Sequence, residues 1–232
     1  RDRVAPLPPE QRAEAAKATI AKNMARQAGK GVITQGDADA ALARIALTTG
    51  SAAFAAADLV IEAATENEAV KAKIFAGLQD VLKDGALLAS NTSSISITRL
   101  AATTGRADRF CGLHFFNPVP MMSLVEIIPG LATSAETRTA MQEFAGRIGK
   151  TAILAADAPA FIVNRVLCPM LNEAIFALGD GVGSVVDIDT GLKLGANHPM
   201  GPLTLADFVG LDTLLSIMKV MPVSYTHLTL PT

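Results

Sequence analysis

The segment Gly112-Leu113-His114-Phe115-Phe116-Asn117-Pro118-Val119-Pro120, followed by Leu124-Val125-Glu126, places a histidine and a glutamate on two apolar runs separated by a proline-rich turn. If each run is a strand and the turn reverses the chain, imidazole and carboxylate come within hydrogen-bond reach. A general base needs that arrangement, because the carboxylate fixes the tautomer and stabilises the imidazolium formed once a proton is taken. The spacing equally suits a buried, satisfied histidine beside a glutamate from an unrelated ion pair. Spacing alone leaves both readings open.

Three further polar sets stand against apolar neighbours. Ser90-Asn91-Thr92-Ser93-Ser94 follows the apolar run Ala86-Leu87-Leu88-Ala89, and small hydroxyl and amide side chains at a strand end can bind a ligand without blocking it. Such residues also form ordinary turns and helix caps. Thr65-Glu66-Asn67-Glu68, with Lys71 a turn later, offers a carboxylate and an amine, and reads equally well as a capping box. In Pro159-Ala160-Phe161-Ile162-Val163-Asn164-Arg165 an amide opens an apolar helix, and a buried amide needs a partner.

The elements that must position these residues can be read from periodicity and caps. Helices are expected from Pro9 to about Gln27 and from about Asp37 to Ile45. A strand over Asp58–Ala63 precedes a helix capped at Thr65 and running to about Lys83. Strands over Ala86–Ala89, Arg109–Phe116 and Leu124–Ile128 follow, then a helix over Ala135–Gly149 with a capping box from Thr133 and Glu136, and a strand over Thr151–Ala155. Alternating strands and helices indicate a mostly parallel α/β sheet. After Pro159 only helices are expected, over Phe161–Gly179, Val185–Leu194 and Leu203–Met218. A boundary is therefore expected between an α/β domain, residues 1–157, and an all-helical domain, residues 158–221. The last stretch, residues 222–232, breaks the helical pattern and reads as foreign to the fold, so His227 is given no role.

Composition narrows the classes. Half of the 232 residues are hydrophobic and 18% are charged, enough to bury a sizeable core and contrary to wholesale disorder. A formal charge of −2 does not suit a generic nucleic-acid surface. No apolar run is long enough to span a membrane, Arg1-Asp2-Arg3 does not open a signal peptide, and no Cys/His spacing resembles a metal site. Cys111 and Cys168 read as small buried hydrophobes in a reducing, cytoplasmic setting.

Taken in order, Thr65-Glu66-Asn67, Ser90-Asn91-Thr92-Ser93-Ser94, His114-Phe115-Phe116-Asn117-Pro118 with Glu126, and Phe161-Ile162-Val163-Asn164-Arg165 resemble the successive signatures of the 3-hydroxyacyl-CoA dehydrogenases, in the spacing of the short-chain, 3-hydroxybutyryl-CoA type. Asp187-Ile188-Asp189-Thr190-Gly191, His198-Pro199-Met200-Gly201-Pro202 and Gly210-Leu211-Asp212-Thr213 extend the likeness. The resemblance implies interconversion of (S)-3-hydroxyacyl-CoA and 3-oxoacyl-CoA with NAD, an acyl-CoA thioester as partner and a homodimeric parent. It implies His114 as the base, Glu126 orienting it, Ser93 beside the reacting oxygen and the nicotinamide, and Asn164 holding substrate. Glu66 and Lys71 would meet the nicotinamide ribose, with Asn91 nearby and Asn117 on the substrate side. The first helix resembles an arm that meets CoA, so Lys22 or Lys17 would pair with a CoA phosphate, against the alternative of a solvated helix face.

One departure qualifies the likeness. The family pattern opens with a strand, a G-x-G-x-x-G turn and a helix that bind pyrophosphate, and Gly29-Lys30-Gly31 follows a helix instead. The expectation is an incomplete Rossmann-like domain, truncated at both ends of the chain, with the choice between NAD and NADP left open. Two rival readings are a non-catalytic CoA-binding fragment or degenerate paralogue, and a β-hydroxyacid dehydrogenase that relies on a catalytic lysine. Neither Lys193 nor Lys219 has the setting that the second rival requires.

Overall fold

A computed structural model describes residues 8–221 and divides the chain into two compact units, Arg1–Ala56 and Ala57–Thr232. The expectations for residues 222–232, including His227, lie outside the described residues.

The first unit is a helical hairpin. Helix α1 (Pro9–Gly29) starts with proline in its first turn, where a missing N–H costs nothing, and carries Glu10 at its start and Arg26 at its end, complementing the helix dipole. Gly31, at φ +70, turns the chain out of it. Helix α2 (Gln35–Ala43) is held by a capping box in which Thr34 Oγ1 accepts from Asp37 N while the Asp37 carboxylate accepts from Thr34 N. Lys17 Nζ donates to the Ile45 carbonyl at 2.7 Å, which ties the two arms together.

The second unit is built on a five-stranded sheet in the order β1 (Leu59–Glu62), β2 (Leu87–Ser90), β3 (Phe110–Phe115), β4 (Leu124–Pro129), β5 (Thr151–Leu154). Strands β1, β2 and β3 run parallel, β4 is antiparallel to β3, and β5 is parallel to β4. The parallel steps are bridged by α3 (Glu68–Ala76), α4 (Ile97–Ala101) and α5 (Ala135–Arg147). The expected mostly parallel sheet is what forms, with its reversal at the proline-rich turn.

Alternation along the strands sorts the core into two layers. Leu88, Phe110 and Ile128 face Phe75, Leu82, Ile97 and Leu100 on one side. Ala89, Cys111, Leu113, Val125 and Ile127 face Met141 and Ala145 on the other. Each fully buried Leu, Ile, Val, Phe or Met among them contributes roughly 1.5–3 kcal/mol, and Phe75 meets Phe110 edge-to-face at 5.0 Å. Gly112, two residues along β3 from Phe110, faces the same layer: a Cβ there would stand 2.9 Å from both Ile128 Cβ and Ile97 Cδ1, so its absence lets α4 close onto the sheet. Asp157, just past β5, accepts from Ile97 N at 2.8 Å and Thr98 N at 2.7 Å and so holds the start of α4.

Four helices follow among the described residues, α6 (Val163–Gly179), α7 (Val185–Gly195), α8 (Pro202–Val209) and α9 (Leu211–Val220); α6, α8 and α9 pack around Cys168, Leu171, Ala206 and Leu214, and α7 lies against α8 and α6. Asp189 accepts from Leu203 N at 2.8 Å and Thr204 N at 3.0 Å, capping α8 from a different helix.

Several expectations are corrected. The cap of α3 is Asn67, whose Oδ1 accepts from Val70 N, rather than Thr65. That helix ends at Ala76, because Gly77 stops it and Leu78 and Leu82 turn into the core. Ser134, rather than Thr133, caps α5; Thr133 Oγ1 instead donates to the Phe110 carbonyl at 2.6 Å. The single helix expected over Leu203–Met218 is broken at Gly210, whose φ of +95 lies outside the right-handed helical region. Helix α4, of five residues, was not foreseen.

Candidate active site

The site is assembled where the parallel strands end. In the register of the sheet Glu62 pairs with Ser90, Ser90 with Gly112, and His114 with Glu126. The last two residues are cross-strand partners on one face, so their side chains meet. His114 Nδ1 lies 2.7 Å from Glu126 Oε2, with the histidine 4% exposed and the glutamate fully buried. An ionised carboxylate at Nδ1 keeps the proton there and leaves the Nε2 lone pair free. Nε2 is 3.2 Å from Ser93 Oγ. Phe116 and Phe161 flank the imidazole at 4.7 and 5.5 Å between ring centroids.

The other oxygen of Glu126 is also committed. Oε1 accepts from Ile162 N at 3.1 Å and Val163 N at 2.9 Å, at the start of α6. Burial pushes the Glu126 carboxyl upward, but the hydrogen bonds from His114, Val163 and Ile162, with the favourable electrostatics of the adjoining imidazole ring, together prevail and hold it below the usual glutamate range. Ala160 and Phe161, at φ +65 and +53, form the left-handed turn that brings these amides and the Phe161 ring to the pair.

Glu66 lies in the loop after β1 and reaches across to the loop after β2. Its Oε1 accepts from Thr92 Oγ1 at 2.6 Å, Ser93 N at 2.9 Å and both Ser94 N and Ser94 Oγ at 3.0 Å. Its Oε2 lies 3.7 Å from Lys71 Nζ, and the side chain is 42% exposed. Asn91 Oδ1 accepts from Phe115 N at 2.8 Å, extending the β2–β3 ladder beside His114.

The sequence-predicted residues therefore divide. Glu66, Asn91, Ser93, His114 and Glu126 are linked by hydrogen bonds or adjoin one another along the strand ends. Asn164 sits half-buried in the first turn of α6, one residue beyond the amide bound by Glu126. Asn117 is exposed in the turn after β3. Lys71, expected at a ligand's edge, is fully buried, with its Nζ bonded to Glu62 Oε1 at 2.9 Å and Oε2 at 2.8 Å. Lys22 is exposed on α1, in the other unit, while Lys17 is taken by the Ile45 carbonyl. The reading of the sequence missed Glu62. Its signal was a lone charge at the end of the apolar run Leu59-Val60-Ile61, since glutamate is seldom buried without a partner.

The donor set suits the nicotinamide half of a dinucleotide. The open Oε2 of Glu66 can accept from hydroxyls, Ser93 is half-exposed, and both stand at carboxyl ends of parallel strands, where open α/β sheets bind ligands. Among the described residues no glycine-rich turn links a strand to a helix in the manner of a pyrophosphate cradle. Among the described residues no group of His, Cys, Asp and Glu could hold a metal ion, and no helix is long and apolar enough to cross a membrane.

Comparison with known proteins converges on the same chemistry. Residues 7–158 match the family model described as 3-hydroxyacyl-CoA dehydrogenase, NAD binding domain, and residues 161–228 match the C-terminal domain model of that family. The 3-hydroxybutyryl-CoA dehydrogenase of Bradyrhizobium diazoefficiens is 56% identical over 210 residues, covering 90% of this chain and 72% of that protein. A probable 3-hydroxybutyryl-CoA dehydrogenase of Bacillus subtilis is 49% identical over 209 residues, covering 90% of this chain and 73% of that protein. The crystal structure of (S)-3-hydroxybutyryl-CoA dehydrogenase from Ralstonia eutropha superposes with a TM-score of 0.90 at 49% identity, covering 93% of this chain and 76% of that one. Fold and comparisons together define an NAD-dependent oxidoreductase. The chain belongs to the 3-hydroxyacyl-CoA dehydrogenase family.

Proposed function

We propose that the chain interconverts (S)-3-hydroxyacyl-CoA and 3-oxoacyl-CoA in fatty-acid or butanoate metabolism, with a short acyl chain such as 3-hydroxybutyryl as substrate. The observation that carries the assignment is the imidazole of His114 held between Glu126 and Ser93. Bound NAD would supply the hydride acceptor for C3. His114 Nε2 takes the proton of the substrate 3-hydroxyl, and Glu126 balances the imidazolium that results. Ser93 donates towards the reacting oxygen, and Glu66 accepts from hydroxyls of the nicotinamide ribose. Lys71, under Glu66, adds positive charge to that end of the site, and Asn91 fixes the strand end beside it. Asn117 and Asn164 hold the substrate side, and Lys22 pairs with a CoA phosphate.

The same reading places an NAD-binding part over residues 1–157 and a substrate and dimerisation part over residues 158–221, with the protein acting as a cytoplasmic homodimer. The identities of the relatives support the substrate class, and the base with its carboxylate partner supports the reaction. Reduction of acetoacetyl-CoA, followed as loss of NADH absorbance and compared with free acetoacetate, tests it. Turnover of the thioester alone is the expected result. Equal turnover of the free acid overturns the CoA assignment.

A further inference from the structure

Glu62 is buried at the carboxyl end of β1, and the proton transfer proposed above does not use it. Its two oxygens are fully engaged. Lys71 Nζ donates to both, at 2.9 and 2.8 Å, Ser90 Oγ donates to Oε2 at 2.7 Å, and Ala64 N donates to Oε1 at 2.5 Å. A buried carboxylate–ammonium pair returns little net stability, because removing both ions from water offsets most of their attraction, and an apolar pair commonly serves as well. Its neighbours offer another account. The Lys71 ammonium lies between buried Glu62 and half-exposed Glu66, in bonding contact with the first and 3.7 Å from the second. Glu66 in turn gathers the Thr92–Ser94 loop, and that loop carries Ser93 to His114 Nε2.

We propose that Glu62 is a positioning residue for the dinucleotide site. By binding Lys71 through both oxygens it keeps the ammonium beneath Glu66, leaving Glu66 Oε1 clamped on the Ser93 loop and Oε2 open to ligand hydroxyls. With a neutral residue at position 62 the ammonium loses its charged partner, and Glu66 becomes the nearest carboxylate. A Lys71–Glu66 contact then covers Oε2 and draws the carboxylate off the loop. The inference rests on the reading that Glu66 and Ser93 serve the cofactor.

Two measurements on the full chain test it. In the ligand-free protein, hydrogen exchange at the Ser93 and Ser94 amides is compared with that at Leu113 in the core of β3. In Glu62→Gln, protection at Ser93 and Ser94 is expected to fall about tenfold further than at Leu113. A fall in the same proportion at all three is a purely structural loss and overturns the proposal. NADH titration, read from nicotinamide fluorescence, is expected to show Kd raised about tenfold in both Glu62→Gln and Glu66→Gln. Weakening in Glu66→Gln alone overturns the role of Glu62 while sparing the cofactor reading. Unchanged Kd in both, or no binding by the parent chain, overturns that reading and the proposal with it. If Glu62→Gln does not fold, Glu62→Asp decides, since it keeps the charge but draws the carboxylate back by one methylene. Parental exchange and Kd in folded Glu62→Asp overturn the proposal, and selective loss at Ser93 and Ser94 supports it.

Discussion

His114 and Glu126 stand directly opposite each other across the antiparallel β3–β4 ladder, Nδ1 2.7 Å from Oε2, while the second Glu126 oxygen holds the first amides of α6. One buried carboxylate thus serves both the base and the helix that carries Asn164, and the two duties can be separated by mutation.

His114→Gln removes the base but keeps a polar group of similar size. Turnover of acetoacetyl-CoA is expected to fall by about 10²–10⁴-fold, with the fold retained. Near-parental turnover would remove His114 from the chemistry.

Glu126→Gln and Glu126→Ala should part company. The amide can still accept from Ile162 and Val163 through its oxygen, but it presents an N–H to His114 Nδ1 and so disfavours the tautomer with a free Nε2. The expected result is a large loss of kcat with a modest loss of stability. Alanine leaves both the amides and the histidine without a buried partner and should cost about 3–5 kcal/mol in urea unfolding.

The lowered Glu126 carboxyl gives a pH dependence of known sign. The unfolded chain binds this proton more readily than the folded one, so stability rises with pH between the folded and unfolded values. The contribution is complete above the usual glutamate range, about pH 4.3, and is lost as pH falls through the lower folded value. Unfolding free energies across that acidic window should slope less steeply in Glu126→Gln than in the parent; identical slopes would refute the linkage.

Gly112→Ala puts a methyl group 2.9 Å from both Ile97 and Ile128. Overpacking of this kind costs about 1–3 kcal/mol, and it falls two residues from His114, so loss of stability should be accompanied by a fall in kcat. Asp189→Ala, in the helical part, should cost about 1 kcal/mol through loss of the α8 cap and leave NADH affinity unchanged.

How much of this was legible depends on how local the signal was. The β3–β4 hairpin could be read because its turn residues and both apolar runs are contiguous in sequence. The burial of Lys71 was not legible, because nothing in its own helix shows that Glu62, on the strand before it, binds its Nζ through both oxygens. Asn67 displaced Thr65 as a cap because the Thr65–Asn67 turn delays the start of α3, a choice of backbone that side-chain types do not encode. The break at Gly210 lay hidden because the apolar periodicity runs on through it, and the five residues of α4 are too few to show any period.

Because the base and its carboxylate are cross-strand partners, a slip of one residue between β3 and β4 would not merely lengthen their bond. It would send one side chain to the opposite face of the sheet. The pair is thus a built-in gauge of registry: molecules in which it has formed are those whose strands have zipped in the right frame. The hydrogen-bonded proton between His114 Nδ1 and Glu126 Oε2, followed by NMR in a refolding mixture, would count them.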